Sequence, residues 1–357
     1  MRITEPTAPI QHRIPALDGL RGVAVLMVLV SHISSYRAEQ LGPAGVAIFF
    51  VLSGYLITSL LTEEQASWGR ISLAAFYARR ALRLFPALLL LVLLTPFLLW
   101  AASDPRLGSI APGLATTVLY VQDWATATGH FSVFAHAWSL SVEEQFYLLW
   151  PLALAFILRR TGRDHHRVTT IMAWSCAIAM LWHLLASLLL GYGWTYYSPD
   201  SNAIFLLTGC ALATALHSGV RLHVPRPLAI AALIAVCGLP LVITRLTAVG
   251  WRGQVLLMFP VDLAGAILVL GAAKLPVLNL RLLRWFGKIS YGLYLWNWVL
   301  ISLQPHGRVL TARERLLAAL CAIGAAAASW YLIESPILRV KRRYQRVSDP
   351  LQPAAVR

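Results

Sequence analysis

Long apolar runs occupy most of the chain, and short Arg-rich segments separate them. A helix that crosses a bilayer needs about 20 mostly apolar residues. Ten stretches fit: 17–35, 44–62, 84–101, 138–158, 168–190, 200–217, 227–244, 254–273, 289–305 and 314–333. Inside a bilayer the backbone must satisfy its own hydrogen bonds, so such runs become helices. The spacing predicts an all-α, polytopic membrane protein of about ten transmembrane helices. Composition excludes the alternatives. Only 13% of the 357 residues are charged and 58% are hydrophobic, against roughly 25% charged in a soluble domain. That is too little charge for a soluble enzyme or a disordered chain. The first stretch is not expected to be a secretory signal, because it carries Asp18, Arg21 and His32 and no small-residue cleavage site follows.

Charge sets the expected orientation. With the N-terminus inside, 23 Lys and Arg fall on inner segments and 7 on outer ones. The positive-inside rule then puts both termini in the cytoplasm. The net charge of +15 is spread over these short clusters rather than along one groove, which argues against nucleic acid. Cys176, Cys210, Cys237 and Cys321 lie singly inside apolar runs and suggest neither disulfides nor a metal site. The expected organisation is a cytoplasmic N-terminal segment over 1–16, a membrane domain over 17–333 and a basic cytoplasmic tail over 334–357. The outer loop 102–137 holds an apolar piece, Ile110–Val121, too short to span and read as interfacial or re-entrant.

Ionisable residues within spans are costly and mark candidate sites. At the cytoplasmic face, Asp18 and Arg21 open the first span, and Arg80 and Arg83 share a helix face before the third. Paired guanidiniums suit a polyphosphate; the same pair also serves as lipid-headgroup anchors. His32 follows Arg21 by eleven residues, about three turns and about 16 Å on nearly one face. A long ligand held at Arg21 could present its reactive end at His32; a buried histidine bonded to a neighbour is the other reading. The fourth span opens with Trp138-Ser139-Leu140-Ser141-Val142-Glu143-Glu144-Gln145-Phe146-Tyr147. Ser141 and Glu144 have capping-box spacing, while a carboxylate at the depth of His32 would make that histidine a general base. Pro151 is expected to kink this helix. Glu334, in Glu334-Ser335-Pro336, falls near the Arg zone, and His183 and Asp262 have no readable partner.

These segments resemble the acyltransferase-3 family of bacterial integral-membrane acyltransferases, which modify surface glycans and some small molecules. The resemblance rests on Leu17-Asp18-Gly19-Leu20-Arg21-Gly22 with His32, on Gly45-Val46-Ala47-Ile48-Phe49-Phe50-Val51-Leu52-Ser53-Gly54-Tyr55-Leu56-Ile57, and on Arg80-x-x-Arg83-x-x-Pro86. It continues through Trp138–Tyr147, Ser290-Tyr291-Gly292-Leu293-Tyr294-Leu295-Trp296 and Glu334-x-Pro336, in one order over nearly the whole chain. It implies transfer of an acyl group, often acetyl, from cytoplasmic acyl-CoA to a hydroxyl of a carbohydrate or glycosylated small molecule, in the bacterial cytoplasmic (inner) membrane. Acyl-CoA would be a co-substrate, with no permanently bound cofactor and no metal.

By the same resemblance, Arg80, Arg83 and Arg21 hold the CoA phosphates and His32 acts as base or acyl carrier. Glu143 or Glu144 orients the imidazole, and Asp18, Ser139, Ser141, Tyr291 and Glu334 support the site. Many relatives have His where Asn297 stands and Pro where Val299 stands, so no acid–base role is expected at 297. The chain is expected to be a form without a fused SGNH-type domain, with any second transfer step left to a separate extracytoplasmic protein. A sugar or lipid transporter, or a flippase, is the competing class, though no inverted repeat is visible.

Overall fold

The computed structural model describes residues 14–34, 38–245 and 258–339. Residues 1–13, Arg37, Arg252 and the tail from 340 onward lie outside the described residues, as do the last residue of the first expected span and residues 254–257 of the eighth.

The described residues form helices and connecting turns, with no strand among them. In chain order the helices are α1 (Pro15–Ile33), α2 (Leu41–Trp68), α3 (Leu73–Ala101), α4 (Ile110–Val118), α5 (Gln122–Ala127), α6 (Trp138–Arg160) and α7 (His165–Leu189). They continue as α8 (Tyr192–Tyr197), α9 (Pro199–His217), α10 (Arg226–Arg245), α11 (Met258–Gly271), α12 (Arg281–Ile301) and α13 (Ala312–Ser329), the last running into a π-helical turn at Trp330–Glu334.

Seven of the described helices are long and apolar enough to cross a bilayer: α1, α2, α3, α6, α7, α10 and α13. The other three expected spans also fall on helices. α9 opens on Pro199-Asp200-Ser201-Asn202, which lowers its mean hydropathy. α12 begins with Arg281, Arg284 and Lys288. α11 contributes 14 described residues. Large apolar side chains such as Leu93, Phe97, Ile178 and Leu332 are exposed on these helices. In a water-facing protein that much exposed apolar surface would drive aggregation; against lipid tails it is the expected exterior. The protein is an all-α polytopic membrane protein.

The helices cluster into two compact units. Of the described residues, those within 1–71 and 111–288 form one, and those within 72–110 and 289–357 form the other. In the first unit, backbones meet at glycines. A methyl added at Gly54 of α2 would sit 1.9 Å from the Leu206 carbonyl oxygen of α9, and one at Gly209 would sit 2.1 Å from that of Val51. Lipid tails give helices no hydrophobic reason to associate, so close van der Waals approach between small residues must do so. α1 packs on the segment before and into α12 in the same way, with Gly19 against Leu278 and Gly287 against Asp18.

In the second unit, α3 carries the Arg pair and runs unbroken through Pro86 and Pro96. Tyr291 of α12 donates to the Leu84 carbonyl of α3 at 3.0 Å. Beyond α3, the buried Asp104 carboxylate accepts from Arg106 Nε and Nη2 at 2.9 and 2.7 Å and from the Gln304 backbone N–H at 2.7 Å. Burial works to raise the Asp104 pKa, but these hydrogen bonds outweigh it and hold the carboxyl below its usual range.

One local expectation is corrected. The capping box at Ser141 and Glu144 does not form: α6 begins at Trp138, its N-cap is Ala137 without a side-chain bond, and Ser141 already lies inside the helix. The Ser141 hydroxyl instead donates to the Ala137 carbonyl at 3.2 Å and accepts from the Gln122 backbone N–H at 3.2 Å. The reason is the 3-10 turn Ala135–Ala137, which feeds straight into α6 and moves the start of the helix upstream. The outer loop holds further helical structure. Ile110–Val118 is the short helix α4, and Gln122 and Asp123 at the start of α5 are fully buried.

Candidate active site

α1 presents one polar pair near its start and one histidine near its end. Asp18 is buried, and Arg21 Nη1 donates to its carboxylate at 3.0 Å. The i, i+3 spacing makes this pairing local, and it offsets part of the arginine's charge. Val25 and Val28, between Arg21 and His32 on the same stripe, are buried. His32 itself is half-buried in the last turn.

The sequence does not reveal what holds Glu143. The hydroxyl of Ser53 on α2 donates to Glu143 Oε1. Tyr147, one turn further along α6, sends its hydroxyl to Ser53 Oγ at 2.7 Å and lies 3.2 Å from Glu143 Oε1. Tyr147 has one proton to give, so the chain of donors runs Tyr147 to Ser53 to Glu143. Charge-assisted bonds of this kind are stronger than neutral ones. One turn beyond, the Trp150 indole N–H donates to Thr58 Oγ1 at 2.8 Å, a second polar tie between α6 and α2. Glu144 is half-buried beside Glu143. Gln145 points away to the loop, donating to the Tyr120 carbonyl at 2.9 Å and to both Asp123 carboxylate oxygens at 3.0 and 3.1 Å. Burial pushes the Asp123 carboxyl up to about 6, partly countered by the Trp124 backbone N–H and Gln145. Ser139 is buried in the first turn of α6.

Helix register relates Ser53 to α1. α1 and α2 run antiparallel, with Gly42 against Ser31 and Gly45 against Ala24 and Val28. His32 stands one turn beyond Val28 in one direction. Ser53 stands eight residues beyond Gly45 in the other, about 12 Å of helix rise. Glu143 is fixed at this level of α2 by its bond from Ser53.

In the second unit, Arg80 is half-buried and Arg83 exposed on α3. Glu334 is buried in the π-helical turn, accepts from Ser329 Oγ at 2.9 Å, and lies within electrostatic reach of Arg83. Asn297 is fully buried and its amide donates back to the Leu293 and Tyr294 carbonyls at 2.7 and 2.8 Å. His183 and Asp262 gain partners as well: His183 Nδ1 with the Ser201 carbonyl at 2.7 Å, and Asp262 with Thr208 at 2.9 Å. Ser53 and Tyr147 are the residues sequence reasoning missed. Both stand in the quoted motifs, and Tyr147 follows Glu143 at the i+4 spacing that shares a helix face.

An all-helical membrane fold with a hydroxyl–carboxylate cluster between its spans is matched, over residues 14–334, by the family model for an acyltransferase domain. The chain belongs to that family, acyltransferase-3. The O-acetyltransferase OatA of Staphylococcus aureus is 30% identical over 352 residues, covering 91% of this chain and 57% of that protein. The peptidoglycan O-acetyltransferase OatA of Listeria monocytogenes is 29% identical over 312 residues, covering 81% of this chain and 50% of that protein. Bacillus subtilis YrhL, provisionally named a peptidoglycan O-acetyltransferase, is 32% identical over 326 residues, covering 82% and 49%. The chain thus spans about half the length of the curated relatives it matches. No solved structure matches it.

Proposed function

We propose that this protein is a bacterial inner-membrane O-acyltransferase that moves an acyl group, acetyl in the first instance, from cytoplasmic acyl-CoA to a hydroxyl of a surface sugar polymer. Peptidoglycan is the acceptor we favour. The observation that carries this reading is the family match over residues 14–334, which takes in every site residue named above. The relatives' names supply the acetyl group and the acceptor.

In this proposal both termini are cytoplasmic. Arg80 and Arg83 hold the CoA phosphates, because guanidiniums bind phosphate oxygens in a fork. Glu334 and Ser329 steady that end of the second unit, and Tyr291 ties α12 to α3. Arg21, paired with Asp18, lies at the cytoplasmic end of the valine stripe that leads to His32. His32 accepts the proton of the acceptor hydroxyl as the thioester is attacked, or takes the acyl group first and passes it on. The stripe's apolar side chains keep water from the thioester. Glu143, held by Ser53 and Tyr147, or Glu144 beside it orients the imidazole and stabilises its protonated form. Ser139 and Ser141 seat the start of α6. A separate extracytoplasmic partner could complete delivery to the polymer.

The test is mass spectrometry of envelope glycans from a deletion strain carrying wild type, His32→Ala or Arg83→Ala at equal membrane levels. An acyl increment with wild type and none with His32→Ala is expected. In membranes, Arg83→Ala should raise the apparent KM for acyl-CoA about tenfold, the loss of one charge-assisted contact. The same increment with His32→Ala would remove the histidine from the mechanism. Sugar transport without acyl-CoA would favour a transporter.

A further inference from the structure

Aromatic rings gather on one side of the first unit, beside the end of α1 that carries His32. Trp124 on α5 and Trp194 on α8 meet with ring centroids 5.4 Å apart. Phe131, in the turn before α6, meets Tyr197 of α8 edge-on at 6.0 Å. Trp194 and Tyr197 are three residues apart on α8 and share a face, so the four rings form one row. The ends of the row are its open parts: Trp124 is 38% exposed and Phe131 64%. Ser31 Oγ donates to the Glu39 carbonyl at 2.8 Å, and the exposed Glu39 carboxylate lies within electrostatic reach of Tyr197. The row therefore stands next to the last turn of α1.

The rings are fixed from below. A methyl added at Gly193 would sit 2.6 Å from the Ala127 carbonyl oxygen, so α8 rests backbone to backbone on α5. The indole N–H groups of Trp182 and Trp194 both donate to Asp200 Oδ2, at 2.8 and 3.2 Å. Thr195 Oγ1 donates to the Ala186 carbonyl at 3.1 Å, and the Asn202 amide donates to the Tyr196 carbonyl at 2.9 Å. Rings held in this way lose little freedom when a ligand settles on them.

Aromatic rings at a membrane surface commonly serve as an interfacial belt. Two features set this row apart. Phe131 follows Thr128, Gly129 and His130, all exposed, so it rises from a polar turn rather than from an apolar helix face. The neighbouring charges at Glu39 and Asp200 are carboxylates, and residues 111–138 and 182–202 contain no Lys or Arg, so nothing here attracts an anionic headgroup. A ligand that suits flat rings and a carboxylate, with no cation, is neutral and has apolar faces and hydroxyl edges. A pyranose fits: its C–H bonds meet the negative face of an aromatic ring, and its hydroxyls donate to a carboxylate. We propose that Trp124, Trp194, Tyr197 and Phe131 form a platform along which a chain of pyranose rings lies by its C–H faces, with Glu39 accepting from a hydroxyl, so that the acceptor strand is held beside the His32 end of α1. The inference rests on the carbohydrate-acceptor reading above and adds to it the residues that hold the strand.

The experiment separates a platform from a belt. Wild type, Trp124→Ala, Trp124→Tyr, Phe131→Ala and Trp174→Ala are purified in lipid nanodiscs, and thermal melts confirm that each is folded. Trp174 is the control: it is 67% exposed on α7, eight residues from Trp182, about 12 Å along the helix. Binding of the linear tetramer of β-1,4-linked N-acetylglucosamine is then measured by isothermal titration calorimetry with no acyl donor present.

We expect about tenfold weaker binding by Trp124→Ala and by Phe131→Ala, the loss of one stacked ring each. Trp124→Tyr, which keeps a ring, should recover most of that loss, and Trp174→Ala should bind as wild type does. Equal binding by all five proteins would overturn the proposal and leave the row as an interfacial belt. An equal loss in Trp174→Ala would also overturn it, since the tetramer would then be meeting exposed rings wherever they stand. No binding by wild type would sink the platform and assign the row to lipid or to a partner protein, while an acyl increment on envelope glycans in cells would still leave the proposed function standing.

Discussion

The Tyr147–Ser53–Glu143 chain should behave as one cooperative unit, and a double-mutant cycle reads this directly. Ser53→Ala removes the bond from Ser53 to Glu143 and the one from Tyr147 to Ser53. The loss is partly recovered, because the Tyr147 hydroxyl already lies 3.2 Å from Glu143 and is freed to donate to it. A charge-assisted hydrogen bond contributes roughly 1.5–3 kcal/mol, so with that recovery the single change should cost about 1.5 kcal/mol. Tyr147→Phe leaves the Ser53 bond in place and should cost about 1 kcal/mol. The double variant takes both of these donors from a half-buried carboxylate, and its cost should reach about 4 kcal/mol. The coupling is then about 1.5 kcal/mol, well above the 0.5 kcal/mol scatter of independent sites. The assay is reversible unfolding in mixed micelles, followed by tryptophan fluorescence. Additive losses would show that the three side chains do not share protons and that Glu143 is held by something else.

Two further outcomes follow from packing and from burial. Gly54→Ala should cost more than about 2 kcal/mol, since its methyl would meet the Leu206 carbonyl at 1.9 Å, whereas Gly238→Ala, with nothing within 4 Å, should be neutral or mildly stabilising; thermal melts in detergent compare them. Asp123, raised to about 6 by burial, binds more protons folded than unfolded between roughly pH 4 and 6, so stability should fall as pH rises through that window and then level off. Asp123→Asn should remove that loss, ~3 kcal/mol at pH 7, and a pH profile of the melting temperature parallel to wild type would show that Asp123 keeps its charge on folding.

The spans were legible because a bilayer leaves so few options: a long apolar run must become a helix. Asp18 and Arg21 were legible as neighbours because helix geometry alone brings i and i+3 together. Ser53 and Glu143 were not, since they are 90 residues apart in sequence and only the packing of α6 on α2 joins them. The capping reading of Ser141 failed because a preceding 3-10 turn extends the helix upstream, which local spacing does not reveal. Counting positive charges tells which side a loop is on but not how deep it folds, and the burial of Gln122 and Asp123 shows a loop turned inward.

The two flanks of α2 respond differently to force. Toward α9, carbonyl oxygens rest against glycine Cα positions, with no side chain between them to rearrange. Such a contact either holds or opens a void, so α2 and α9 should travel as one rigid body. Toward α6, hydroxyls at Ser53 and Thr58 meet Glu143, Tyr147 and Trp150. Hydroxyls can rotate and change partner while staying bonded. Any breathing that admits a bulky substrate should therefore run along the α2–α6 seam as a shear, with α2 and α9 as the fixed jaw and α6 as the moving one.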